Sequence, residues 1–258
     1  VKHQGRVAVV TGSGRGLGLE IARRMLEDGA AVMITDVVAD NLPKALAALG
    51  GERENLAAHA ADLGEQAGAA SLAAAALSRW GKVDILVNNA GGGIIRPFLS
   101  HTAETLVETI KRNLWTCIWC CQAFLPGMVE RQYGRIVNIG ADSVRNGLDS
   151  HAAYNAAKGG VHGITSGLAR EFAKQGITVN TVAPPGILTP EIREMLNPDS
   201  EVYQKHAIKN INDLVYMIPM GRFAEMEEVA SFVSYLASEE ARFVTGQVLS
   251  VNGGSTML

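Results

Sequence analysis

Charge of one sign is what this chain most conspicuously lacks. Its 23 lysines and arginines nearly balance 26 aspartates and glutamates, leaving a net charge of −3. Nothing in that balance attracts a polyanion or an acidic bilayer, so neither nucleic acid nor membrane is expected as a partner. No apolar run reaches the roughly 18 residues that cross a bilayer. Val1–Gly5 is polar and leads straight into an apolar segment, which argues against a signal peptide and for a cytoplasmic location. Cysteine is scarce: Cys117, Cys120 and Cys121 all fall in one short stretch, with no second cluster at metal-ligand spacing. A helix there would set Cys117 beside the other two, but small apolar core residues in a reducing compartment are the simpler reading, and no metal is expected. Internal repeats and low-complexity linkers are absent too.

What is present is an alternation of β-type and α-type segments. Apolar, β-branched runs predict strands at Arg6–Thr11, Ala31–Thr35, Val83–Asn88, Arg135–Ile139, Ile177–Val182 and Val248–Val251, with a weaker one at Asn55–Ala61. Helical spacing fills Gly18–Gly29, Asp40–Leu49, Gln66–Trp80, Thr102–Arg131 (one long helix or two short ones) and Tyr154–Gln175. Strands that are apolar throughout are covered on both faces. With right-handed crossovers they predict an α/β fold: a doubly wound, parallel, seven-stranded Rossmann-like sheet with helices on both faces, in one domain over residues 1–258. Pro184–Pro219 is the least regular part and reads as a substrate-side insert.

Two motifs carry chemistry. Thr11-Gly12-Ser13-Gly14-Arg15-Gly16-Leu17-Gly18 follows a strand and opens a helix. Glycines there allow a tight turn and close backbone approach, and the helix N-terminus offers unpaired N–H groups to a diphosphate. Asp36 ends the second strand, where a carboxylate accepts bonds from ribose hydroxyls and repels a 2′-phosphate, favouring NAD. Arg15 argues the other way, but less strongly than Asp36. Further along, Tyr154-Asn155-Ala156-Ala157-Lys158 puts a phenol and an ammonium one helical turn apart. A nearby ammonium stabilises phenolate, so the phenol is expected below its ordinary pKa of about 10, ready to exchange a proton while hydride moves.

As an ordered set these residues resemble the short-chain dehydrogenase/reductase superfamily over nearly the whole chain. The resemblance includes the Gly-rich turn, Asp62-Leu63 around an adenine, Asn88-Asn89-Ala90-Gly91 after the fourth strand, Asn113, the Tyr-x-x-x-Lys pair, Asn180–Thr189 at the nicotinamide, and the Val244–Gly254 tail. It implies Gly12, Ser13, Arg15, Gly16, Leu17, Gly18, Asp36, Asp62, Leu63, Asn89, Ala90, Gly91, Tyr154, Lys158, Ile187 and Thr189 as cofactor-binding residues. It also implies that Lys158 binds the nicotinamide ribose, that Asn113 holds a water linking Lys158 to solvent, and that the assembly is a homotetramer or homodimer; Trp115, Trp119 and Phe124 offer apolar area for that contact or, alternatively, belong to the core.

The chain departs from this pattern at two places. The family's serine, 13 residues before the tyrosine, is here Ala141. Ser143, on the same face of an extended segment, is expected to replace it, the alternatives being a water or a side chain of the insert; Asp142 would oppose phenolate formation. Pro185, in Pro184-Pro185-Gly186, removes a backbone donor and is expected to reshape the nicotinamide loop. The expected catalytic set is therefore Asn113, Ser143, Tyr154 and Lys158.

For the small-molecule substrate, Asn89–Ile94 and Leu114–Cys121 are similar to dehydrogenases that rearomatise cis-dihydrodiols of arene carboxylates with NAD. The alternatives are a 3-oxoacyl thioester or carbonyl reductase using NADPH, and a catalytically silent NAD-binding sensor. Arg193, Lys205, His206 and Lys209, near Tyr203 and Tyr216, could hold a carboxylate. Interleaved Glu191, Glu194, Asp199 and Glu201 favour a solvated charged face instead. His151 is a candidate substrate contact.

Overall fold

The structure, a computed structural model, describes residues 2–197, 199–200 and 215–257. Seven strands form one sheet: β1 (Val7–Val10), β2 (Ala31–Asp36), β3 (Leu56–Ala60), β4 (Ile85–Asn88), β5 (Gly134–Ile139), β6 (Ile177–Ala183) and β7 (Val248–Ser250). Their order is β3-β2-β1-β4-β5-β6-β7, and every pairing is parallel. The connection reverses direction between β1 and β4, which opens a crevice at their C-terminal ends, where open α/β sheets take their ligands.

The helices are α1 (Gly16–Glu27), α2 (Asn41–Ala48), α3 (Gln66–Trp80), α4 (Ala103–Ile110), α5 (Thr116–Glu130), α6 (Ser143–Asn146), α7 (Ala152–Phe172), α8 (Pro190–Leu196) and α9 (Met226–Leu236). β1, β4, β5 and β6 are buried along their whole length because both faces are covered. On one face Ile21 and Met25 of α1 pack with Leu42 of α2 and Val229, Val233 and Leu236 of α9. On the other, Leu72 of α3 packs with Phe124 and Met128 of α5 and Val161 of α7. The three cysteines belong to this second layer; all are buried and free, burial keeps Cys120 protonated, and a hydrogen bond with Cys117 together with burial does the same for Cys121.

Thr102–Arg131 is the two-helix alternative, its halves joined by a π-helical turn, Lys111–Trp115. The sequence-based segments fall within a few residues of the observed ones, with two differences. Asp142–Gly147 is not extended: it contains α6. Between Pro219 and Val248, where periodicity suggested nothing, lies α9, started by a reciprocal capping box between Glu225 and Glu228. Among the described residues, no helix is long and apolar enough to cross a membrane.

Candidate active site

The motifs read from the sequence converge on the crevice between β1 and β4, where two cavities share Asn89 and Gly91. The first, about 430 Å³, is lined by Gly12, Arg15, Asp36, Val38, Asp62 and Leu63, among others. Gly12 leaves β1 at φ 61°, and a Cβ there would stand 2.8 Å from the Cα of Ala90. Such close approach, together with the positive φ, admits only glycine. Thr11 Oγ1 accepts from the N–H groups of Asn89 and Ala90, each at 2.9 Å, and Asn89 Nδ2 donates to the carbonyls of Thr11 (2.9 Å) and Gly12 (3.0 Å). The turn after β1 and the end of β4 are thus tied together. Gly16 opens α1, whose first N–H groups have no intrahelical acceptor.

Asp36 Oδ1 accepts from the Val38 N–H at 2.8 Å. A Cβ at Gly14 would meet Asp36 Oδ2 at 2.3 Å, so glycine is what lets this carboxylate stand beside the turn. Arg15 does not offset it: its Nη1 pairs at 2.7 Å with Glu191 Oε1 of α8. A glycine cradle, a helix N-terminus and a carboxylate at the far end fit the diphosphate and adenosine ribose of a dinucleotide. The Ser13 side chain is fully buried, donating to the Val10 carbonyl at 2.6 Å and accepting from the Thr35 N–H at 3.0 Å, so it braces the sheet beneath the turn. Leu17 and Leu63 are core residues, and Asp62 pairs with Lys111 at 3.2 Å.

The second cavity, about 540 Å³, holds Tyr154, Lys158, Ser143 and His151, with Ile187 and Thr189 on its wall; Ile95, Leu148, Met217, Ile218 and Phe223 give it an apolar lining. Tyr154 and Lys158 lie one turn apart on α7, with Lys158 Nζ 5.9 Å from the phenol ring centroid. Lys158 is buried and donates to the Ile139 carbonyl at 2.8 Å. The expected lowering of the phenol is not found: burial pushes Tyr154 up to about 12 and Lys158 down to about 8. Both charged forms lose hydration here, and the ammonium that should hold the phenolate is itself disfavoured.

Asn113 sits in the π-helical turn, a distortion that recurs at functional sites. Its Nδ2 donates to the carbonyls of Gly92 (3.0 Å) and Thr109 (2.9 Å), and its Oδ1 accepts from the Gly92 N–H at 3.1 Å. The side chain therefore holds the loop after β4, and only its oxygen or the backbone is left for a water. His151 Nδ1 bonds the Asp149 carbonyl at 2.7 Å, leaving Nε2 to the cavity, and the ring stands edge-on to Tyr154. Thr189 Oγ1 caps α8, accepting from Ile192 at 3.3 Å.

Ser143 reaches this cavity from the first turn of α6, not from a strand or a bulge. Its Oγ donates to Asn155 Oδ1 at 2.6 Å, and Asn155 Nδ2 donates to the Ser143 carbonyl at 2.9 Å. Ala141 is buried, its N–H directed at His162 Nε2 at 3.4 Å. Asp142 Oδ1 accepts from Asn252 (3.1 Å) and Thr256 (2.6 Å). Arg193 pairs with Glu225 at 2.5 Å, and Tyr216 is solvent-exposed. Glu201, Tyr203, Lys205, His206 and Lys209 lie outside the described residues. Sequence reasoning passed over Asn155, hidden as spacer inside Tyr-x-x-x-Lys, and Phe223 and Ser255, which no spacing connects to the motifs.

A fold and site of this kind define a nicotinamide-dependent oxidoreductase. The family model described as enoyl-(acyl carrier protein) reductase matches residues 12–256. The chain is 57% identical over 256 residues to 2,3-dihydroxy-2,3-dihydro-p-cumate dehydrogenase of Pseudomonas putida, covering 99% of this chain and 96% of that one. It is 32% identical to 1,6-dihydroxycyclohexa-2,4-diene-1-carboxylate dehydrogenase of Acinetobacter baylyi (98% and 97% covered). It is 34% identical to the 2-dehydro-3-deoxy-L-rhamnonate dehydrogenase (NAD(+)) of a Sphingomonas species (99% and 97% covered). The chain belongs to the short-chain dehydrogenase/reductase superfamily and is an oxidoreductase of that class.

Proposed function

We propose that this chain is an NAD-dependent dehydrogenase of cyclic vicinal diols, and that its substrates are cis-dihydrodiols of arene carboxylates, which it oxidises to catechols. The observation that carries this reading is the 57% identity, over 99% of the chain, to a dehydrogenase of p-cumate dihydrodiol. The mixed apolar and hydroxyl-bearing wall of the cavity around Tyr154 suits a ring bearing hydroxyls. Asp36, unpaired by Arg15, supports NAD over NADP.

A bound nicotinamide supplies the hydride acceptor. The protein's part is to hold the ring in place and take the proton. Tyr154 receives the hydroxyl proton of the carbon that loses hydride, and Lys158, as ammonium, favours the phenolate that does so. The hydroxyketone left behind has lost one hydride and one proton; tautomerisation moves a ring proton to oxygen and gives the catechol. Because the phenol begins near 12, oxidation should quicken as pH rises above neutrality, up to about 8, where Lys158 sheds the proton that favours the phenolate. For self-association we assign the apolar groove of Leu106, Val107, Ile110, Trp115 and Trp119, where two indoles stack at 5.0 Å and Trp115 is exposed. Sedimentation of the purified chain tests it.

The test of function is NADH formation with NAD or NADP and a panel of cyclic diols, monoalcohols, hydroxyacids and arene cis-dihydrodiol carboxylates. NAD-linked turnover led by the dihydrodiol carboxylates is expected. Turnover confined to reduction of oxoacyl thioesters with NADPH would overturn the reading.

A further inference from the structure

We propose that Asn155 turns Ser143 into a hydrogen-bond acceptor, and that this makes the site select substrates carrying a second hydroxyl beside the one oxidised. The inference rests on the diol reading above and names the residues that read the second hydroxyl.

The backbone carbonyl of Ser143 can only accept, so the Asn155 group 2.9 Å from it is the amide nitrogen. The other end of that amide, facing Ser143 Oγ at 2.6 Å, is then the oxygen. An amide oxygen carries no hydrogen, so the single hydroxyl hydrogen of Ser143 is committed to it. The orientation of Asn155 is thereby fixed by its partners, and with it the direction of the hydroxyl. What Ser143 turns to the cavity is lone pairs. Among the described residues no side chain donates to them.

An acceptor at this point suits an alcohol O–H and not a carbonyl oxygen. The hydroxyl being oxidised donates to Tyr154, so the hydroxyl that meets Ser143 is its neighbour on the ring. This differs from the role expected from the resemblance, in which a serine hydroxyl orients the reacting oxygen. It also explains why Ala141 can stand at the family's serine position: the hydroxyl that serves here is two residues on, at the start of α6, within reach of Asn155. Asn155 touches neither substrate nor cofactor in this account; it is a positioning residue. A substrate that lacks the second hydroxyl leaves the Ser143 acceptor unpaired in a largely apolar cavity, at an expected cost of about 10- to 100-fold in kcat/KM.

The experiment uses the full chain with NAD and three ring substrates: a cis-diol carboxylate, its counterpart with the second hydroxyl replaced by hydrogen, and its counterpart with that hydroxyl replaced by fluorine, which keeps the size and loses the donor. Wild type should prefer the diol to both by about 10-fold or more. Asn155→Ala should collapse that preference, mainly by raising KM for the diol. Ser143→Ala should collapse it equally, and the double variant no further. A fluoro compound used as well as the diol would overturn the proposal with no variant needed. So would an Asn155→Ala enzyme that keeps the wild-type preference, or a Ser143→Ala enzyme that loses diol and monoalcohol turnover in equal proportion. Wild type with no diol turnover at all would instead sink the functional reading itself, and the inference with it.

Discussion

Tyr154 and Lys158 set the chemistry of the site, and both are held away from their charged forms by burial. Tyr154→Phe should lower kcat by more than about a thousandfold while NADH binding, followed by fluorescence, stays within about twofold of wild type. Turnover that survives would remove Tyr154 from the proposed mechanism. Lys158 carries a stability consequence whose sign is definite. Its ammonium ionises at about 8 in the folded chain, below its ordinary 10.5. Between those values the unfolded chain holds the extra proton, so stability rises with pH through that window. The whole shift is worth roughly 3 kcal/mol. Lys158→Met should therefore be the more stable protein at pH 7 and should lack that rise. Urea unfolding of both at pH 7 and pH 9.5 measures it, and identical pH dependence would contradict the assignment. The pairing of Tyr154 with Lys158 is legible from spacing alone; their ionisation is not, because desolvation is a property of what packs around them.

At the scale of elements, the turn between β1 and α1 is the most constrained piece. Gly12→Ala places a side chain at φ 61° and 2.8 Å from the Cα of Ala90. About 1–3 kcal/mol of stability should go with it, and NADH affinity should fall at least about tenfold, read by fluorescence titration. Wild-type affinity would mean that the turn is no cradle. The sequence displays this element plainly, since its glycines and flanking strand sit next to one another. It displays α6 not at all: four residues are too few for periodicity, and the helix is held by partners outside it, Asn155 on Ser143, Val248 on Arg145 and Asn252 on the capping Asp142. It also conceals α9, whose Val, Phe, Ser and Tyr are poor helix formers and which holds by packing on α1.

Across the whole molecule, segments far apart in sequence are tied together. At the end of the sheet away from the site, His3 Nε2 meets Ser234 Oγ of α9 at 3.0 Å, and Ser234 donates to Asp28, the C-cap of α1. Near the other end, Asn252 and Thr256 hold Asp142, next to Ser143. Asn252→Ala leaves buried Asp142 short of a donor and should cost about 1–3 kcal/mol. It should raise KM for the diol more than it weakens NADH binding, since Asp142 lines only the substrate cavity. Equal weakening of both would show that the tail braces the fold and not this loop.

The seven strands, the longer helices between β1 and β6, the dinucleotide turn and the Tyr-x-x-x-Lys pair were determined by the sequence itself, because each depends on residues close together in the chain. Only the tertiary structure decided which way side chains turn within those motifs. It sent Ser13 into the sheet and Arg15 across to Glu191. It lifted the phenol of Tyr154 by burial and bound the hydroxyl of Ser143 to Asn155. Each of these follows from a partner brought in from elsewhere or from the exclusion of water, and neither is written in local spacing.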